Sequence, residues 1–252
     1  MKKFTKVALI LSVVFAVVGV FSFGGAIAMG LGWSDLARMA QDGELSIHKS
    51  DSGNSISFFE SEHHEHHKNS NCRELEIDLS IGKLNLFYDE VEEIEVKQEG
   101  VHNFNSRMDG STLKIDGGKG ISFGGTEGVV TVIVPYGTVF EEVDVSIGAG
   151  QADIDGLCAT EVSVDVGAGQ VQFSDLDTKH FDGETDAGQI EAQMVEGEEA
   201  YSYSAECGVG EIRIGDNSIS GFGGEKNVTN AGADRYIDVE CGVGQIVIDF
   251  EE

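Results

Sequence analysis

The chain has 252 residues, 34 of them glycine and one proline, and its formal charge of −29 sets 45 acids against 16 bases. No basic stripe is present to displace counterions from a phosphate backbone, so the composition excludes nucleic acid as a partner and favours cationic ones. Forty per cent of the residues are apolar and they alternate with polar ones, which separates the chain from disordered sequences and permits a packed β structure.

In chain order, the first feature is a run without charge, residues 7–34, preceded by Lys2, Lys3 and Lys6. As a helix it would extend about 42 Å, enough to cross a bilayer core of about 30 Å with tilt. The lysines then stay cytoplasmic under the positive-inside rule, and everything after Trp33 faces outward. The rival reading is a cleaved signal peptide, since Ala26-Ile27-Ala28 has the small-x-small form of a cleavage site. Both readings export the remainder. The expected division is a basic tip and anchor over 1–34, a juxtamembrane segment and His-rich stalk over 35–71, and a β-repeat domain over 72–252.

Strand alternation starts at Glu74, with Leu75, Ile77, Leu79 and Ile81 on one side and Glu76, Asp78 and Ser80 on the other. Further strands are expected at 94–98, 112–115 and 129–134, the last stopped by Pro135, which has no N–H to donate. Residues 117–128, rich in glycine, read as a connecting loop.

From residue 145 the chain repeats itself. An alternating pair, a Gly-x-Gly corner and a second alternating pair make up residues 145–154 (VSIGAGQADI). The pattern returns at 164–173 (VDVGAGQVQF), 183–192 (GETDAGQIEA), 205–214 (AECGVGEIRI) and 239–248 (VECGVGQIVI), with a degenerate copy at 79–86 (LSIGKLNL). Starts 19, 19, 22 and 34 residues apart indicate stacked units, a single-stranded β-solenoid. The inward set is Val143, Val145, Ile147, Ala152 and Ile154, then Val162, Val164, Val166, Val171 and Phe173. Later coils use Thr185, Ala187, Ile190, Ala192 and Met194, then Tyr203, Ala205, Cys207, Ile212 and Ile214, then Ile237, Val239, Cys241, Ile246 and Ile248. Asp186 replaces the first corner glycine of the third copy, so that coil is expected to be distorted. Residues 215–235 read as a surface loop, and the sheet edge is expected at the last coil, near Phe250.

The stretch 129–154 (VVTVIVPYGTVFEEVDVSIGAGQADI), followed by recurring Gly-x-Gly-Gln/Glu corners behind one hydrophobic segment, resembles the adhesin-like family of bacterial cell-surface β-strand repeat domains. The likeness covers roughly residues 72–252 and implies a β-solenoid-like fold on an envelope protein. Its name is a label without a demonstrated activity, and it implies no catalytic residues.

Four imidazoles and a carboxylate stand within residues 63–67, and His63, His64, His66 and His67 are candidate ligands for zinc, copper or nickel; the plain alternative is a solvated spacer. Cys207 and Cys241 hold the same inward position in neighbouring copies. Strands about 4.8 Å apart would bring them within disulfide reach, the alternative being buried thiols acting as small hydrophobes. Asp153 and Asp155 suit a hard cation, so loose divalent-cation association with the acidic faces is expected, although a period of 19 is not that of the calcium-binding nonapeptide roll. Gly117-Gly118-Lys119-Gly120 lacks the spacing and the Ser or Thr of a phosphate loop. No cofactor motif is present.

These readings add up to an exported, single-pass, acidic β-solenoid at the cell membrane with its C-terminal domain outside. It would act without catalysis as a binding, scaffolding or adhesin-like module for an envelope ligand. The alternatives are an accessory of an envelope-stress pathway acting through a membrane partner, and a carbohydrate-active β-helix enzyme with a paired acid and base.

Overall fold

The computed structural model describes residues 63–67, 72–118 and 128–251. Two units divide the chain, residues 1–59 and 60–252, and all the described residues belong to the second. The expected anchor, its alternative cleavage site and most of the stalk lie outside the described residues.

Among the described residues twelve strands make one sheet. They are β1 (His63–His67), β2 (Glu74–Asp89), β3 (Ile94–Glu99), β4 (Asn105–Asp109), β5 (Thr112–Gly117), β6 (Val129–Pro135), β7 (Phe140–Asp155), β8 (Cys158–Thr185), β9 (Gln189–Met194), β10 (Tyr201–Ile214), β11 (Asn217–Val228) and β12 (Arg235–Phe250). Their order is β1-β3-β6-β2-β7-β8-β9-β12-β10-β11, with β5 beside β2 and β4 beside β5. The fold is all-β, and its repeats stack as parallel rungs: Val143↔Val162, Ile147↔Val166 and Ile154↔Phe173 are directly opposed, as are Cys207↔Cys241 and Ile212↔Ile246.

Each rung bends at its glycines. Ile147 and Ala152 are both buried although five positions separate them, because the Gly-x-Gly corner shifts the inward parity by one. The second corner glycines form a column, Gly82↔Gly150↔Gly169 at one end and Gly244↔Gly210 at the other, with Gly188 accepting from Gln245 N between them. A Cβ at Gly150 would run into the Gly82 carbonyl oxygen, one at Gly210 into that of Gly244, and one at Gly244 into that of Gly188. Backbones this close leave space for glycine alone. Ile81 and Ala187, expected inside, instead take the middle position of this corner. Ile81 is accordingly 47% exposed, opposite Ala149.

The rungs do not stack in sequence order. The last copy, β12, inserts between β8/β9 and β10, pairing in parallel with both (Ile246↔Ile190 and Ile246↔Ile212). Residues 215–235 are therefore not a plain loop: β11 folds back antiparallel on β10 (Ile212↔Ile219) and forms the outer edge, so β12 is paired on both sides as far as Ile248, and as far as Phe250 on the β9 side. The crossover into β12 is pinned. Asn230 donates its amide to the Tyr201 and Glu198 carbonyls at 2.7 and 3.2 Å, and its N–H to Ser202 Oγ at 3.2 Å. Arg235 donates to Asp177 and to the Thr178 carbonyl, each at 2.7 Å, with its guanidinium over the Tyr201 ring.

The third copy is distorted as its sequence suggests. Residues 186–188 leave the strand, and the corner that is continuous in β7, β10 and β12 separates β8 from β9. Gly183 faces inward beside Phe181, whose ring meets Phe173 edge-on with centroids 5.8 Å apart and so fills the space a side chain at Gly183 would need. At the N-terminal end, β4 is a strand the alternation did not announce. Gly117 ends β5 instead of beginning a loop, and residues 119–127 lie outside the described residues. The backbone of His63–His67, read from sequence as stalk, is an edge strand antiparallel to β3. Among the described residues no buried side-chain polar atom lacks a partner.

Candidate binding surface

Because side chains alternate along each rung and rungs align in register, every outward position becomes a row running across the stack. On the first arm these rows are acidic. Glu74, Glu142 and Glu161 align, as do Glu76 and Asp144 beside them. Farther along, Asp182 faces Asp238, and Glu184, Glu240, Glu206 and Glu225 form an unbroken row. Carboxylates at rung spacing repel one another. The charge of Asp144, with burial and the Glu161 and Glu74 charges, pushes the Glu142 carboxyl up from its ordinary range. Burial, then the neighbouring acids, does the same to Asp144, Asp182 and Glu184. Lys114 pairs with Glu76, and the Thr112 hydroxyl donates to Glu74. Two shallow recesses mark this arm. One of about 310 Å³ lies between Glu76, Asp78, Asp144 and Asp165; another of about 400 Å³ is rimmed by Glu184, Asp186, Glu206, Glu225 and Glu240.

The second arm carries amides. The glutamine after each corner stacks as Gln151↔Gln170↔Gln189↔Gln245, continued by Lys83 at one end and Glu211 at the other. Three of these side chains bond within the row or to the next one. Gln189 donates to Gln245 at 3.3 Å and to Glu191 at 2.6 Å, Gln245 donates to Glu211 at 3.4 Å, and Gln151 donates to Asp153 at 3.0 Å. The recurring glutamine of the motif is thus a structural ladder. Two residues farther on, Thr131, Asn85, Asp153 and Gln172 align across four strands. With Phe87, Asp155 and Ser174 they line a cleft of about 580 Å³. The sequence reading missed this cleft because it needs β6 beside β2, a pairing outside the repeat.

Of the residues singled out from sequence, Cys207 and Cys241 lie opposite each other, 3% and 2% exposed, as free thiols. Burial pushes Cys241 up to about 12 and raises Cys207 as well. Cys72 is buried too and donates to the Glu74 carbonyl at 3.5 Å, while half-buried Cys158 stands 3.8 Å from an Asp177 oxygen. Asp153 and Asp155 are both in the cleft, Asp153 held by Lys83 at 2.7 Å. His63, His64, His66 and His67 lie along the β3 edge. Among the described residues no three His, Cys, Asp or Glu side chains group as a metal site.

Comparison with known proteins adds the following. The profile of the Toastrack DUF4097 family matches residues 72–252. No curated protein matches the chain. A solved structure of a candidate cell adhesion protein from Clostridium sporogenes ATCC 15579 superposes with a TM-score of 0.55 at 15% identity, covering 76% of this chain and all of that one. A candidate adhesin from Bacteroides fragilis NCTC 9343 gives 0.34 at 14% identity over 75% of this chain and 97% of that one. One from Parabacteroides merdae ATCC 43184 gives 0.35 at 15% identity over 74% and 80%. At such identities the Clostridium likeness speaks for the fold alone.

Proposed function

The chain belongs to the Toastrack DUF4097 family, and from that premise we propose that it is an exported, membrane-anchored, non-catalytic binding module of the cell envelope, adhesin-like in its use of a broad repeated face. The observation that carries this reading is the register itself. Seven aligned strands from β2 to β11 turn short sequence repeats into rows of identical chemistry, spaced about 4.8 Å apart. A ligand on such a face meets the same groups many times over, which suits an extended partner better than a small substrate. The acid rows lie side by side on one wall, whereas a glycosidase pair flanks the bond that it cleaves. Export and anchoring rest on the uncharged run 7–34 behind three lysines.

A tag placed after Glu252 tests location. Antibody labelling of that tag on intact cells, with the protein retained in the membrane fraction, is the expected result; a tag reached only after lysis sinks the reading. N-terminal sequencing separates anchor from signal peptide, since a mature chain starting at Met29 excludes the anchor. Proximity labelling from the same tag distinguishes an extracellular ligand from a membrane partner of a stress pathway.

A further inference from the structure

We propose that the cleft beside Phe87 is a binding subsite for an uncharged glycan chain, which deepens the surface-binding reading and rests on it. The cleft crosses β6, β2, β7 and β8 on the outer side of the second arm, and its chemistry differs from the rest of the surface. The first arm is dominated by carboxylate acceptors. Here Thr131 and Ser174 hydroxyls and Asn85 and Gln172 amides bring donors and acceptors together with the acceptors of Asp153 and Asp155. Vicinal sugar hydroxyls, each donor and acceptor at once, require that mixture.

Apart from Asp153, which Lys83 and Gln151 hold, these groups are also uncommitted. Gln151, Gln189 and Gln245, one column away, are tied into ladder bonds or to neighbouring carboxylates. By contrast, the side chains of Asn85, Thr131, Asp155, Gln172 and Ser174 form no hydrogen bond to the protein among the described residues. They are solvated and in register, so a ligand exchanges water for bonds at several rungs without first breaking protein contacts. Phe87, half-buried at one end, adds an apolar ring to a polar site, the combination that lets the C–H face of a pyranose pack while its hydroxyls bond to the row.

Charge narrows the class of glycan. A chain at −29 repels uronic acid and phosphate polymers. A metal ion fits poorly, since Lys83 Nζ already occupies Asp153 at 2.7 Å. An extended peptide gains least here: β2, β7 and β8 are interior strands whose ladders are closed on both sides, leaving no free edge to pair with.

The test uses full-length protein in a non-glycosidic detergent, with calorimetry against cellohexaose, chitohexaose and mannohexaose and with hexagalacturonate as the charged control. At least one uncharged hexasaccharide should bind, with hexagalacturonate about tenfold weaker or more. Asn85→Ala and Gln172→Ala should each weaken binding at least about fivefold, while Asp234→Asn, exposed in the crossover into β12, leaves it unchanged. Phe87→Ala should weaken it further, and because Gln172 is exposed its variant tests the site even if the Phe87 variant fails to fold. No binding by any uncharged probe, equal binding of hexagalacturonate, or affinity indifferent to both Asn85→Ala and Gln172→Ala would overturn the proposal. Binding to purified protein is independent of location, so failure here leaves the surface reading standing. Internal location of the tag, with glycan binding intact, would do the reverse.

Discussion

At Gly210 a single hydrogen in place of a side chain decides whether two rungs can touch. Its φ of 145° and the carbonyl of Gly244 against its α-carbon leave no room for a methyl group, whereas Gly137, at φ 82°, has open space around it. Gly210→Ala should therefore cost about 3 kcal/mol or more, or prevent folding, while Gly137→Ala should cost about 1 kcal/mol for its backbone conformation alone. Urea titration of the two variants measures the difference, and equal costs would remove the close-approach argument. The same sequence-to-packing logic applies to the thiols. Cys207 and Cys241 meet because their copies align, but burial in the core disfavours the thiolate, the form that attacks alkylating agents and disulfides. In native protein at neutral pH both should resist iodoacetamide, and after denaturation without reductant both should be modified. Mass spectrometry checks this; a pair locked against alkylation even when unfolded would mean a disulfide instead.

The arms of each rung were legible in the sequence, and their order in the stack was not. Alternation located Val143, Val145 and Ile147, the column of corners, and the weak corner at Asp186, because one-sided burial writes itself into a period of two. Rung order leaves no such trace. β10 and β12 carry nearly the same decapeptide, so either fits the slot beside β9; what settles it lies in the connections. Asn230 and Arg235 tie the crossover to the start of β10 and to Asp177, and the β10–β11 hairpin occupies the outer position. Ile81 and Ala187 were misread for a related reason, since a corner displaces parity only where the backbone turns. Truncation after Asp234 thus removes an interior rung with a partner on each side. Its product should lose the cooperative urea transition, whereas Ile219→Ala, which loosens only the edge strand β11, should retain one at lower midpoint. Equal behaviour of the two would contradict the inserted position of β12.

Across the whole molecule the repeats that build the core also concentrate charge, since an outward acid copied in each rung becomes a row of acids. Burial, and repulsion within the rows, hold Glu142, Asp144, Asp182 and Glu184 above their ordinary values, so in that interval the folded chain binds more protons than the unfolded one. The sign follows: their ionisation opposes folding, and their unfavourable contribution is relieved as pH falls from neutral through the folded values toward the ordinary carboxylate range. Melting temperature at low ionic strength should be higher near pH 5 than near pH 7.5, the reverse of what carboxylates stabilised by partners would produce. Salt discriminates the causes. About 0.5 M NaCl shortens the screening length to a few ångströms and removes the repulsion between rows while leaving the burial component, so the pH difference should shrink without vanishing. Glu184→Gln or Glu240→Gln should raise the neutral-pH melting temperature by relieving the longest row. Calcium at constant ionic strength reports whether the rows hold divalent ions beyond screening: a further rise would assign them that role, and no shift would limit them to diffuse repulsion. A melting temperature that falls steadily on acidification from pH 7.5 to pH 5 would mean that ion pairs such as Lys83 with Asp153 and Arg213 with Asp249 outweigh the rows.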